Sequence, residues 1–226
     1  MRLHTFNLIA ISLLLFAGPL LAGGKATIKS GQGSQSVIMT LEYADVDKVR
    51  MNMPQQQEGN GYMLMRDGKA WMVMDMQGQV MVMDMAQMAG MARGMGGPPQ
   101  DEAIKQELIK SKRTGRKETV AGYDGEVYEI TWRDNFGTHT AEAVLSTHPD
   151  VVEYSRAWMN FAQSMDSSMG HNAGSKNSIG SFLDKEGKGI LKMGDEFVVV
   201  SIKTGNIGDS RFKLPKATIQ MPFTPR

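Results

Sequence analysis

The stretch YMLMRDGKAWMVMDMQGQVMVMDM, residues 62–85, decides the reading of this chain. Apolar residues alternate with others through Tyr62–Met65, Ala70–Met76 and Val80–Met85, the two-residue period of β-strands. The turn signals between these runs set a register. Asp67-Gly68 suits a two-residue type I′ hairpin loop, and Gly78-Gln79 suits a type II′ loop. Arg66 then pairs with Lys69, and Gln77 with Val80. Counting outward places Met63 opposite Met72, Met65 opposite Ala70, Met72 opposite Met85, Met74 opposite Met83 and Met76 opposite Met81. Because side chains alternate, Met63, Met65, Met72, Met74, Met76, Met81, Met83 and Met85 all project from one face. The other face carries Leu64, Trp71, Val73, Val80 and Val82 mixed with Tyr62, Asp75 and Asp84, so alternation alone leaves open which face looks inward.

Working outward, Val37–Tyr43 and Lys48–Met53 also alternate as strands, and residues 54–61 form a polar loop. After the methionine meander, Ala86–Met95 predicts a short helix weakened by Gly90 and Gly94 and ended by Pro98-Pro99. Asp101–Lys110, with acids in its first turn and lysine in its last, predicts a better one. Strands are expected at Arg116–Val120, Gly125–Arg133 and Thr138–Leu145. Asp150 is expected to cap a helix running to about Met169, with Val151, Tyr154, Trp158, Phe161 and Met165 at helical spacing. His171–Gly180 reads as a loop, Glu196–Ile202 as a buried strand, and Ser210–Pro225 as an extended close to the chain. Many strands with a few interspersed helices predict a mainly β (α+β) domain. Its expected form is one curved antiparallel sheet with helices on its concave side.

Methionine is the anomaly of the composition: of 20 in the chain, 13 fall between Met51 and Met95. One reading makes the methionine face the core beneath a helix. Yet leucine, isoleucine and valine hold fixed rotamers and specify packing better. Ordering a methionine costs roughly 1.5–2 kcal/mol of side-chain entropy, against about 1.5–3 kcal/mol gained by burying it. A second reading therefore makes the face a pliable lining for an apolar ligand, with the eight methionines joined by Trp158 and Phe161 from the long helix. A third uses the thioether as a soft ligand for Cu(I), for which Met88, Met91 and Met95 have the spacing of one helical turn. His139, His148 and His171 all lie outside the methionine cluster. A fourth treats the chain as an envelope protein without a small ligand, its methionines a core or sacrificial oxidation sites.

The N-terminus reads as an export signal, residues 1–24. Arg2 and His4 are followed by the apolar run Leu8–Ala17, the break Gly18-Pro19, and small residues at 22–24, placing cleavage near residues 22–26. The apolar run is short for a membrane span. The expected location is the periplasm or the exterior of the cell, with residues 25–226 forming one domain. Removing Arg2 with the signal leaves 24 of the 25 basic residues against 24 acidic ones, a balance that argues against a nucleic-acid partner. With no cysteine, the chain has no disulfide, thiolate nucleophile or thiolate metal site. The sequence also lacks a Gly-x-Ser-x-Gly elbow, a phosphate-binding glycine loop and a His-Glu-x-x-His motif. A binding protein rather than an enzyme is expected, with no cofactor.

The segments YADVDKVRMNM (43–53), YMLMRDGKAWMVMDMQGQVMVMDM (62–85), ETVAGYDGEVYEI (118–130) and GDSRFKLP (208–215) resemble an uncharacterised family of secreted bacterial proteins of unknown function. That family is similar to the lipoprotein-carrier, LolA/LolB-like superfamily. The resemblance covers roughly Val37–Pro215. Related sequences often carry a cysteine after the Gly-Tyr pair, where this chain has Asp124-Gly125. The resemblance implies an open half-barrel of antiparallel strands whose concave side, covered by helices, forms an apolar pocket for acyl chains. The partner it implies is a lipid or other hydrophobic small molecule, which allows transient contact with a membrane surface. A scaffold of this kind also serves other roles, so the implied fold does not by itself fix the function.

Overall fold

The computed structural model describes residues 23–31, 33–52, 60–94, 107–169 and 177–218. The first six strands are β1 (Gly24–Ser30), β2 (Val37–Tyr43), β3 (Val49–Asn52), β4 (Asn60–Arg66), β5 (Lys69–Met76) and β6 (Gln79–Asp84). Helix α1 (Met85–Gly94) follows directly. Next come β7 (Glu107–Val120), β8 (Tyr123–Asp134) and β9 (Gly137–Ser146), then α2 (Pro149–Ser168), α3 (Ile179–Glu186), β10 (Gly189–Met193) and β11 (Phe197–Thr204). All eleven strands form one antiparallel sheet in the order β6-β5-β4-β3-β2-β1-β11-β10-β9-β8-β7. Two meanders thus meet where the first strand pairs with the last, Gly24 opposite Thr204. The sheet is not closed: β6 and β7 are its two edges.

Helix α2 builds the main core. Pro149 opens it, and His148 rather than Asp150 is the capping residue, its Nδ1 accepting from the Asp150 N–H at 3.3 Å. A proline at the first helical position needs no hydrogen bond of its own, which moves the cap one residue upstream of it. Val151, Tyr154, Ala157 and Phe161 form the buried stripe of α2. They pack with Ala26, Ile28, Leu41, Tyr43, Val49, Met51 and Met65. A second cluster joins Ile179 and Leu183 of α3 to Tyr128, Ile130, Ala143, Leu145 and Ile190. Cross-strand register carries the Leu41 face through Ala26, and the neighbouring Ile28 row on to Val199. The same side then runs through Phe197, Met193 and Ala143 to Tyr128, so all three helices cover one side of the sheet.

Several expectations are corrected. Of the helix expected at 101–110, residues 101–106 lie outside the described residues, and Glu107–Lys110 begin strand β7. Leu108 stands opposite Trp132 on β8 and packs into the second cluster, so pairing and burial override helix propensity there. Ile179-Gly180, read as the end of a loop, opens α3, capped by the Ser178 hydroxyl and ended by Gly187 at φ +61°. Strands β1 and β10 were not anticipated. Beyond β11 the chain makes a 3₁₀ turn at Asp209–Phe212, where an extended segment was expected, and then runs without regular structure to Thr218; residues 219–225 of that expectation lie outside the described residues. No helix among the described residues is long and apolar enough to cross a membrane.

Candidate functional site

The methionine face is built by two tight turns. Asp67-Gly68 joins β4 to β5 as expected, with Arg66 opposite Lys69, Met65 opposite Ala70 and Met63 opposite Met72. The next loop differs. It is Gln77-Gly78, not Gly78-Gln79, so Met76 faces Gln79, Met74 faces Met81 and Met72 faces Met83. Gln77 and Gly78 have φ of +56° and +85°, the left-handed pair of a type I′ turn. The register is displaced by two residues from expectation, which is one full pleat, so the strand methionines still share a face. Met85 does not: it is the first residue of α1, and only 8% exposed. The Asp84 carboxylate accepts hydrogen bonds from the N–H groups of Ala86 and Gln87, which ends the strand and starts the helix.

One row of directly opposed side chains runs Leu41, Met51, Met63, Met72, Met83 from β2 to β6. Burial falls along it. Leu41 is 0% exposed and Met51 9%, while Met63, Met72 and Met83 are only half-buried. Met65, one row across, is sealed in the core at 1%. Met74, Met76 and Met81 are half-buried as well. Thus the face is closed at Met51 and Met65 beneath α2 and half-buried from Met63 out to the β6 edge. Helix α1 lies over that outer part, touching β5, β6 and α2.

The other expected site residues divide. Phe161 is a core residue, 2% exposed. Trp158 is half-buried and turned toward β11, its ring 5.8 Å from Phe197 and 6.5 Å from Phe161. Trp158 and Met63 both pack at the margin of the main core, against the cluster that contains Met51 and Met65. Met88 and Met91 are half-buried on α1, and Met95 lies outside the described residues. Among the described residues no three His, Asp or Glu side chains converge as a metal site.

The opposite side of the same strands explains its mixed composition. Leu64 and Val73 are buried at 0% and 2%. The chain after β11 crosses this side, with Phe212 buried at 2% and its turn packed on β3 and β4. Arg66 donates to the Phe212 carbonyl at 3.1 Å and Arg50 to the Arg211 carbonyl at 3.4 Å. Arg50 also lies 3.5 Å from the centre of the Tyr62 ring. Burial, and then the neighbouring Arg211, lower its pKa from the ordinary arginine value. The strap ends at the edge, where Thr218 donates its N–H to Val80 O at 2.9 Å and accepts from the Val80 N–H at 2.7 Å. Sequence reading missed this latch. The signal was the pairing of outward-facing Arg50, Arg66 and Glu42 with a basic-aromatic Arg211-Phe212 far along the chain.

Chemically the methionine face is soft, apolar and adaptable, with no titratable group on it. Tyr43 and Tyr154 are the buried polar side chains nearest the core, and burial pushes both phenols far above the usual tyrosine range, keeping them neutral. A separate shallow cleft of about 360 Å³ is lined by Glu118, Glu142, Lys192 and Asp195. Its Lys192–Glu118 contact of 3.0 Å and the Arg116–Glu142 pair engage two of its carboxylates. No protein-family model, curated protein or solved structure matches the chain.

Proposed function

We propose that this is an exported binding protein that holds an apolar ligand, of which a lipid acyl chain is the best fit, against the outer methionine face. The observation that carries the reading is the step in burial from Met51, which is buried, to Met63, Met72 and Met83, which are half-buried. A purely structural core would be sealed under α1 and α2, whereas this one opens toward the β6 edge. A ligand lying between α1 and the strands would complete the burial of Met63, Met72, Met74, Met81 and Met83. Each Å² of apolar surface so covered contributes about 25 cal/mol. Thioether flexibility would let one face accept varied chains.

The coarse architecture supports the same reading. An open antiparallel sheet with helices over one side agrees with the half-barrel implied by the resemblance to the lipoprotein-carrier superfamily. Residues 1–24 read as the export signal, which supports a ligand encounter in the periplasm or outside the cell.

The test is native mass spectrometry of the mature protein purified without detergent, beside a Met74→Asp/Met83→Asp variant. The expected result is a co-purifying adduct of lipid mass on the parent and none on the folded variant. Equal lipid loading of a folded variant would overturn the assignment of this face.

A further inference from the structure

We infer that Met72, Met74, Met81 and Met83 form a thioether site for one soft monovalent cation, Cu(I) or its surrogate Ag(I). Met72 stands directly opposite Met83, and Met74 directly opposite Met81. The two pairs are successive same-face rows of one hairpin. Directly opposed side chains have Cβ atoms about 5 Å apart, and same-face neighbours along a strand are about 6.7 Å apart. The four Cβ atoms thus outline a rectangle whose centre is about 4 Å from each. A two-bond extension to sulfur plus one metal–sulfur bond spans that distance.

The surroundings make the site selective. All four side chains are half-buried, accessible to an ion yet shielded from bulk water. Met74 faces side-chain-free Gly61 on its other flank. The carboxylates carried by these two strands belong to their opposite side and are engaged: Asp75 accepts from the Gly78 N–H, and Asp84 from Ala86 and Gln87. Neither of these strand carboxylates therefore competes on this face. A thioether-only set favours Cu(I) over Zn²⁺, Mg²⁺ or Ca²⁺. This quartet is distinct from the Met88, Met91, Met95 tract, which its helical spacing had marked as the copper candidate.

The inference does not rest on the acyl-chain reading, and one set of variants separates the two. Met→Leu changes keep volume and apolarity but remove the sulfur. The full mature chain is titrated with Cu(I) under ascorbate in competition with bicinchoninate, with circular dichroism as the check on folding. The expected result is a stoichiometry of about one Cu(I) per chain for the parent and for Met88→Leu/Met91→Leu. That Cu(I) binding is lost in Met72→Leu/Met74→Leu/Met81→Leu/Met83→Leu, whichever way the lipid test falls. Should the quadruple variant fail to fold, the pairs Met72→Leu/Met83→Leu and Met74→Leu/Met81→Leu are each expected to weaken binding. Failure of the parent to hold Cu(I), undiminished binding by the folded quartet or pair variants, or loss only in the α1 variant overturns the site.

Discussion

Arg211 grips Glu42 through two parallel hydrogen bonds, Nε to Oε2 and Nη2 to Oε1, each 2.9 Å. The pair fastens the chain after β11 to β2. It does so on the side away from the helices, the side to which the buried Leu64 and Val73 belong. Glu42's side chain is only 9% exposed and Arg211's 45%, so loss of the arginine strands a nearly buried carboxylate. Arg211→Ala is expected to lower the unfolding free energy by about 1–3 kcal/mol, less than for a pair buried at both ends. Arg211→Lys should restore only part of this, since an ammonium cannot reproduce the fork. A urea-denaturation cycle with Glu42→Ala checks it, and an unmoved midpoint for Arg211→Ala would show that the latch contributes nothing.

Gln77 occupies the first position of the β5–β6 turn at φ +56°. A left-handed conformation costs an ordinary residue roughly 1–2 kcal/mol, and asparagine tolerates it better. Gln77 is exposed, so replacing it removes no packing. Gln77→Asn should stabilise the protein by about 0.5–1 kcal/mol in the same denaturation assay. The absence of any gain would mean that the turn carries no strain.

That same turn shows how far the sequence could be read. Asp67-Gly68 is an unambiguous hairpin signal and yielded the right partners for Met63 and Met65. Around Gly78 two loops compete, because glycine can serve as the second residue of a type I′ turn or the first of a type II′ turn. The displaced register misplaced every β5–β6 partner, yet kept the strand methionines on one face, since the side-chain period is two. Met85 was beyond periodicity altogether: the Asp84 cap turns the chain into α1 one residue earlier than the pattern implies. The faces of Trp158 and Phe161 were equally hidden, because helical spacing shows that they share a stripe but not that Phe197 waits beside one of them. Strand Glu107–Lys110 failed for the converse reason, its local helix signals being outweighed by the pairing of the long strand β7 with β8.

Acid should release a specific ion pair. Lys188 Nζ lies 3.0 Å from Glu126 Oε2, with only 11% of the lysine side chain exposed. The hydrogen bond from Lys188 outweighs the opposing effect of burial and, helped by the charges of Lys188 and Arg113, holds the Glu126 carboxyl below its ordinary value of 4.5. A depressed folded-state value means that the pair stabilises the protein fully above pH 4.5, and that this contribution is lost as the pH falls through the lower folded value. Melting temperature followed from neutral pH into this acid range should therefore fall less steeply for Glu126→Gln than for the parent. Parallel curves would remove Glu126 from the acid response.

Gly23 is held from three sides. Its N–H donates to Glu153 Oε1 of α2 at 3.0 Å, and its carbonyl accepts from the Gly205 N–H at 3.2 Å. A Cβ on it would sit 2.6 Å from Tyr43 O, with φ at +62°, so no other residue fits without strain. Both Gly23 and Lys25 fall within the window where the export reading places cleavage, which makes the mature terminus a matter of stability as well as processing. A chain beginning at Gly23 puts its α-ammonium where the N–H now meets Glu153, turning a neutral donor into a charged one. A chain beginning at Lys25 loses that contact together with Gly24, the residue that pairs with both Tyr43 and Thr204. The longer chain should be more stable by about 1–3 kcal/mol in urea denaturation. Glu153→Gln should narrow that gap by destabilising the chain that starts at Gly23 more than the one that starts at Lys25. Equal midpoints for the two chains would show that the first residues of β1 are dispensable, and that Gly23 is tight for reasons unconnected with the mature terminus.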